Sequence, residues 1–241
     1  MSRQSLKKWA LLLTFWMALH TTTLRADLVG PYGTSPITFD VDANGLLSAT
    51  GTYGTGTLSL SGAGTRMFWY PGKAAFRAGG VSGTDWNNTN VGAYSVAFGY
   101  DAIASGSYST AFGLGNTASG YLATVFGAST TASGVESVTF GFSTSATAYA
   151  SIAAGYHTSA TAYGDFAMGR YNVGGVSPTS WNPIDPLFEV GNGTSSVPAD
   201  AFVVYKNGDA TVQGTLAAHT GLICPQQGDL SMGSFTAGTA P

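Results

Sequence analysis

The chain has 241 residues, of which only 9% are charged, where a soluble domain usually carries about 25%. Hydrophobic residues still reach 44%, which excludes a disordered, highly charged chain. Its 34 glycines follow no three-residue period, so collagen is excluded, and Gly, Ala, Ser, Thr and aromatics together make a β-protein composition.

Residues 1–26 read as a signal peptide. Arg3, Lys7 and Lys8 form a basic start, Trp9 to Leu19 a mostly apolar core, and Leu24-Arg25-Ala26 a cleavage site with a small last residue. That core is far short of the roughly 20 residues that span a bilayer, so no membrane span is expected in the mature chain. The leader holds four of the nine Lys and Arg residues and no acid, leaving five basic against twelve acidic and a net charge of −7. Five scattered cations cannot line a phosphate backbone, which excludes a nucleic-acid partner. Cys224 is the only cysteine, so no intrachain disulfide framework is available.

Residues 27–90 read as a β-rich N-terminal cap region with the runs ITFDV (37–41), LLSAT (46–50), TLSLS (57–61) and RMFWY (66–70). Asn44-Gly45 and Pro71-Gly72 mark turns between them. Arg66, Lys73 and Arg77 stand among Phe68, Trp69, Tyr70 and Phe76. Such a cluster suits a sugar- or surface-binding patch through stacking and cation–π contacts. It equally suits a cap whose aromatics cover the first coil of a solenoid, and the need of open solenoid ends for cover favours the cap.

Residues 91–173 carry a repeat. Gly99, Gly113, Gly127, Gly141, Gly155 and Gly169 recur every 14 residues. A second column, offset by seven, reads Gly92, Gly106, Gly120 and Gly134, then Ala148 and Ala162. Each 14-residue unit has room for two strands of four or five residues and two tight turns, with glycine at each corner supplying a positive φ. Stacked about 4.8 Å apart, such units pair every strand with its copy in the next coil and form two parallel sheets. The predicted fold class is therefore all-β, a parallel β-roll with β-rich flanking caps.

Alternation within the SVAFG-like strands separates two columns. Ser95/Ala97, Ser109/Ala111, Ala123/Val125, Ser137/Thr139 and Ser151/Ala153 form a small column. Val96, Phe98, Phe112, Phe126, Val138, Phe140 and Ile152 belong to the opposite, larger column. Either column can face the interior without breaking the alternation. The thin interior of a two-sheet roll favours the small one inside, which turns the phenylalanines outward as an apolar ladder of the kind that forms an interface between chains.

The units SVAFG (95–99), STAFG (109–113), ATVFG (123–127) and SVTFG (137–141), with their AxAxG-like second halves, resemble the head domain of trimeric autotransporter adhesins, the YadA-like left-handed parallel β-roll. The resemblance implies that three chains associate as a homotrimer. It further implies export to the cell surface or outer membrane, and binding of a surface, glycan or matrix ligand by the head. The sequence carries no heptad-patterned stalk and no C-terminal run of amphipathic barrel strands.

Residues 174–216 form a trailing segment with strands at LFEV (187–190), AFVVY (201–205) and ATVQGTL (210–216), and Lys206-Asn207-Gly208-Asp209 as a hairpin turn. This segment resembles the β-segments that follow repeat heads in tail-fibre-like and adhesin-like surface proteins. Residues 217–241 read as a flexible C-terminal tail, with Cys224 in it as a free thiol.

Catalytic chemistry is not encoded. His157 and His219 are the only histidines beyond the leader, too few with one cysteine for a zinc site within a chain, and His157 falls in the phase of a turn. Asp101, Glu136 and Asp165 fall in different columns of the repeat, and no GGxGxD calcium motif occurs. Neither enzyme activity nor a cofactor is expected. The function classes left are an adhesin-like head, a non-adhesive fibre or envelope spacer, and an ice- or crystal-face binder using the Thr117 and Thr131 hydroxyl ladder, which Ile103 and Ser145 interrupt.

Overall fold

The computed structural model describes residues 38–41 and 47–214. The leader over 1–26 and the tail over 217–241, with His219 and Cys224, lie outside the described residues. Strands β1 (Thr38–Val41) and β2 (Leu47–Thr50) pair as an antiparallel hairpin. The expected strand at TLSLS is not formed. Gly56 and Gly62 bracket it with φ of 79° and 72°, and Leu58 instead packs against Tyr70, Ala75 and Val91.

The repeat region is a parallel β-solenoid. Six long strands, β5 (Val96–Tyr100), β7 (Thr110–Leu114), β9 (Thr124–Ala128), β11 (Val138–Phe142), β13 (Ile152–Tyr156) and β15 (Phe166–Arg170), pair in parallel and in register. Between them lie five short strands, β6 (Ile103–Ala104), β8 (Thr117–Ala118), β10 (Thr131–Ala132), β12 (Ser145–Ala146) and β14 (Ser159–Ala160), which form a second parallel sheet. The second strand of each unit is two residues long rather than the expected four or five.

The interior is as thin as the small column requires. Ala97, Ala111, Val125, Thr139, Ala153 and Ala167 are fully buried, as are Ala104, Ala118, Ala132, Ala146 and Ala160 from the facing sheet. Buried serines at the entry to the long strands satisfy the turn before them. Ser95, Ser109, Ser137 and Ser151 donate from Oγ to the carbonyls of Gly92, Gly106, Gly134 and Ala148 at 2.6–2.8 Å. Asn116 ties coils together. Its Nδ2 donates to the Phe112 and Gly127 carbonyls at 2.6 and 2.7 Å, and its Oδ1 accepts from the Thr130 amide and hydroxyl.

The glycines have a role different from the corner role expected of them. Gly99, Gly113, Gly127, Gly141, Gly155 and Gly169 sit fourth in the long strands with φ between 96° and 140°. A Cβ on any of them would lie 1.9–2.3 Å from a carbonyl oxygen of the following coil. Gly92, Gly106, Gly120 and Gly134 meet the same obstacle at 1.9–2.0 Å. Close approach of successive backbones is what excludes a side chain. The left-handed residues lie two positions after each glycine, and most are not glycine. Tyr94, Tyr108, Leu122, Glu136 and Ala150 hold φ of 52–60° at one corner, and Asp101, Ser129, Ser143, His157 and Tyr171 hold 44–55° at the other.

The long sheet continues past the repeat at both ends. β3 (Gly64–Tyr70) and β4 (Ala75–Val81) form a hairpin, and β4 pairs in parallel with β5 so that Arg77 lies beside Ala97 and Gly79 beside Gly99. At the other end β16 (Pro186–Asn192) pairs in parallel with β15, Glu189 beside Ala167 and Gly191 beside Gly169. β17 (Asp200–Tyr205) and β18 (Ala210–Val212) complete the sheet as an antiparallel meander around the Lys206–Asp209 turn. Both end rungs thus place a fully buried ionisable side chain, Arg77 or Glu189, in the alanine column.

Side chains at each end of the solenoid meet peptide groups that face out of the stack. Within the coils, carbonyls such as Asn116 O and Thr130 O accept from the preceding coil, through Ile103 N and Thr117 N. For the first coil, side chains stand in. Trp86 Nε1 donates to the Ala102 carbonyl at 2.8 Å and Lys73 Nζ to the Val91 carbonyl at 2.7 Å, while Arg77 adds a second donor, at 3.0 and 2.9 Å, to the Ser95 and Ala104 carbonyls, which also accept the Phe76 and Gly92 amides. Burial lowers the Arg77 pKa to about 10, still a cation at neutral pH. The supposed binding patch is therefore dispersed. Lys73 and Arg77 are consumed inside the cap, and the Tyr70 hydroxyl donates to the Gly56 carbonyl. At the far end most of the groups met are amides, although Asn172 Nδ2 also donates to the Ser159 carbonyl at 2.8 Å. Asn172 Oδ1 takes the Ser159 amide at 2.7 Å, Glu189 Oε2 the Gly174 amide at 3.1 Å, and Asp185 the Val176 and Ser177 amides at 3.0 and 3.1 Å.

Asp165 replaces the column's serine in the last coil, fully buried, with neither carboxylate oxygen hydrogen-bonded. Burial raises its pKa to about 7, against the pull of Glu189 and the Lys206 charge. Burial, together with the charges of Asp165 and Asp200, raises Glu189 to about 8. Both acids bind protons more tightly folded than unfolded. Their contribution is therefore fully present below about pH 4 and is lost as pH rises through about 7 to 8.

Two outcomes follow from this packing. Gly127→Ala adds left-handed strain and overlap with the Gly141 carbonyl, about 2–6 kcal/mol of destabilisation together, whereas Gly83→Ala, with open space around it, is near neutral. Chemical denaturation of the two variants checks this; equal midpoints would refute the close-approach account. The thermal midpoint falls from pH 5 to pH 8, and Asp165→Ser, which restores the column's serine, flattens that slope and raises the midpoint at pH 8. A wild-type midpoint that stays level or climbs across this range would refute the buried-acid assignment.

Candidate interaction surface

Alternation along each long strand turns the larger side chains away from the alanine column, so all of the residues expected on the outer face lie there. Val96, Val138 and Ile152 form one column with Thr110 and Thr124, and Phe98, Phe112, Phe126 and Phe140 form the next. The phenylalanine rings stack at centroid distances of 5.0, 5.2 and 5.7 Å with interplanar angles of 14°, 12° and 4°. Phe126 and Phe140 keep 40% and 45% of their surface exposed even with a ring on either side or below. Parallel in-register pairing dictates this ladder, because every coil places the same position at the same height.

The face reaches beyond the repeat. In the register of the hairpins, Met67 and Ala78 precede Phe98, and Trp69 and Phe76 precede Val96. Phe76 meets Phe98 at 5.4 Å, and at the other end Phe166, Phe188 and Phe202 follow one another at 5.6 and 6.2 Å. Met67, at 74% exposure, is uncovered. None of the side chains on these columns from Val96 to Met168 is charged.

Two further aromatic columns border the face, and the sequence reading did not single them out. After the six strand glycines come Tyr100, Leu114, Ala128, Phe142, Tyr156 and, in the last coil, Arg170, of which all but Ala128 are exposed. Phe142 and Tyr156 stack at 5.5 Å. At the opposite margin Tyr53, Tyr94 and Tyr108 stack at 4.9 Å each, and Tyr121 meets Tyr108 edge-on at 5.5 Å. The 14-residue spacing of Tyr94 and Tyr108, and of Tyr100 and Leu114, was the available signal.

The other sheet presents a different chemistry. Thr117, Thr131, Ser145 and Ser159, with Ser105, Ser119, Ser133, Thr147 and Thr161 two positions further along their coils, line it with hydroxyls, and Ile103 is its one large apolar side chain. His157 sits in a left-handed corner, as its phase in the repeat implied, and stacks on Tyr171 at 4.8 Å. Among the described residues no group of three His, Cys, Asp or Glu side chains is placed to hold a metal ion. No helix among them is long and apolar enough to cross a membrane.

Comparison with family models finds the YadA head domain repeat in two copies, over residues 91–116 and 118–144. Searches of the curated proteins and of the solved structures give no match. The matched stretches cover the coils from β5 to β11, and the later coils continue them in the same register. With these repeats and the parallel solenoid they build, the chain carries a YadA-like head.

Proposed function

We propose that the chain is an exported, surface-displayed, adhesin-like protein whose head works as a homotrimer and binds a surface, glycan or matrix ligand. The observation that carries this reading is the uncharged aromatic face. Monomeric soluble proteins rarely leave a continuous apolar surface of this size open. Eleven strands about 4.8 Å apart and roughly 20 Å of strand width give about 960 Å², against about 800 Å² per partner in a stable complex. Each buried phenylalanine contributes about 1.5–3 kcal/mol, so the four stacked rings offset a good part of an association cost of about 4–15 kcal/mol. The remaining columns supply the surplus.

Three copies, rather than two, follow from the likeness to the YadA head. The basic-apolar-small pattern of residues 1–26 supports export. With the aromatic face taken up between copies, the hydroxyl sheet and the outer corners are left for a ligand. A spacer role is the second reading, favoured by the uniformity of that hydroxyl sheet from coil to coil.

Light scattering on the chain lacking residues 1–26 tests the assembly. A trimer is expected at micromolar concentration, with Phe112→Asp/Phe126→Asp giving monomer or misfolded chain. A monomeric wild-type protein would overturn the reading. The binding arm uses a glycan array and immobilised matrix proteins, where retention of the trimer is expected. A trimer that binds none of them favours the spacer.

A further inference from the structure

We propose that the closing end of the solenoid is a pH-operated latch. With Asp165 and Glu189 protonated, the β16–β17–β18 meander stays on β15; on their ionisation it releases as a unit, while the coils and the opening cap stay shut. Asp165 stands where Ser95, Ser109, Ser137 and Ser151 stand in earlier coils, and each of those hydroxyls donates to the carbonyl three residues back. The carbonyl in that place is now that of Ala162, and a carboxylate, which only accepts, cannot bond it. Neither oxygen of Asp165 finds another donor, and the residue is fully buried. A protonated carboxyl regains the missing O–H.

Glu189 is the diagonal neighbour of Asp165 in the next rung, since it pairs with Ala167, two residues along the same inward face. It too is fully buried, and its oxygens accept from Asn172 Nδ2 and the Gly174 amide, both neutral donors. The groups around the pair leave its charge unbalanced. Ser151 and Ala153 lie beside it in the coil before. The loop before β16 brings Asp185, already bonded to the Val176 and Ser177 amides, and β17 brings Asp200, bonded to the Val173 amide. Lys206 adds a positive charge, but its Nζ has no hydrogen-bond partner among the described residues. Burial raises Asp165 to about 7 and Glu189 to about 8, so two buried negative charges develop over one narrow pH range. The opening end has no such response. Arg77 stays cationic, and its guanidinium donates to the Phe76, Ser95 and Ala104 carbonyls and to the Ser95 hydroxyl. Both acids bear on β15 and the rungs after it, so the lost stability is local to them. Release bares the edge of β15, an open strand edge of the kind to which another strand can add.

Hydrogen exchange read by mass spectrometry on the chain lacking residues 1–26 tests the latch, at pH 5 and pH 8 with labelling times scaled to the intrinsic exchange rate. Peptides from residues 186–205 are expected to lose protection about a hundredfold or more between the two, while those from 64–81 and 96–142 keep theirs. Asp165→Asn/Glu189→Gln, which keeps the side-chain shapes and cannot ionise, is expected to hold the meander at both pH values. Asp165→Ser alone serves should the pair impair folding, and is expected to cut the loss about tenfold. Equal protection of residues 186–205 at the two pH values in the wild-type chain would overturn the latch. So would a loss spread evenly over the coils, or one undiminished in either variant.

Discussion

Successive backbones in this solenoid approach so closely at the glycine column that the carbonyl of one coil occupies the place a side chain would need on the coil before. That contact fixes how closely the coils stack, while small side chains, mostly alanine, serine and threonine with Val125 among them, keep the two sheets close together. Alternation along each long strand then turns the larger side chains outward. The aromatic face follows from the small interior column as much as from the phenylalanines themselves. An interior able to take the rings would need sheets further apart, and the Ala97–Ala104 kind of contact across the roll would open into cavities.

The ends obey a second constraint, the direction of the peptide groups. The outermost coils have no further coil to take up the peptide groups that face outward, and side chains of the caps meet many of them. Carbonyls at the start are met by Arg77, Lys73 and Trp86, and amides at the finish by Glu189, Asp185 and Asn172. Burying a polar group is costly unless it is hydrogen-bonded, and here each finds partners among the peptide groups at its end of the stack. A further buried acid, Asp165, has no such partner, and burial raises its pKa.

Much of the roll was legible because stacking demands strict periodicity. The 14-residue glycine spacing gave the coil, and the alternation in SVAFG separated inside from outside once thinness was taken into account. The end rungs were hidden for the complementary reason. Gly79 precedes Gly99 by 20 residues and Gly191 follows Gly169 by 22, so neither fits the period, and their core positions hold Arg77 and Glu189, which pattern reading assigns to the surface. The corner conformation was also misplaced. Tyr94, Leu122 and Glu136 adopt left-handed φ because tertiary hydrogen bonds such as Tyr108 N to Ala93 O impose it, and no residue preference announces that. The TLSLS run alternates like a strand, yet Gly56 and Gly62 in left-handed conformations bound it and Leu58 is taken up by the Tyr70, Ala75 and Val91 cluster.

The matched polarity of the caps bears on how such a head can change length. The opening cap bonds to the first coil, and the closing segment reaches back as far as Tyr149, whose amide donates to the Pro178 carbonyl. Removing or duplicating a whole 14-residue unit between them therefore leaves both closures with the same partners as before. The head behaves as a ruler graduated in steps of about 4.8 Å, so that reach can be lengthened or shortened by recombination between repeats while both ends stay sealed.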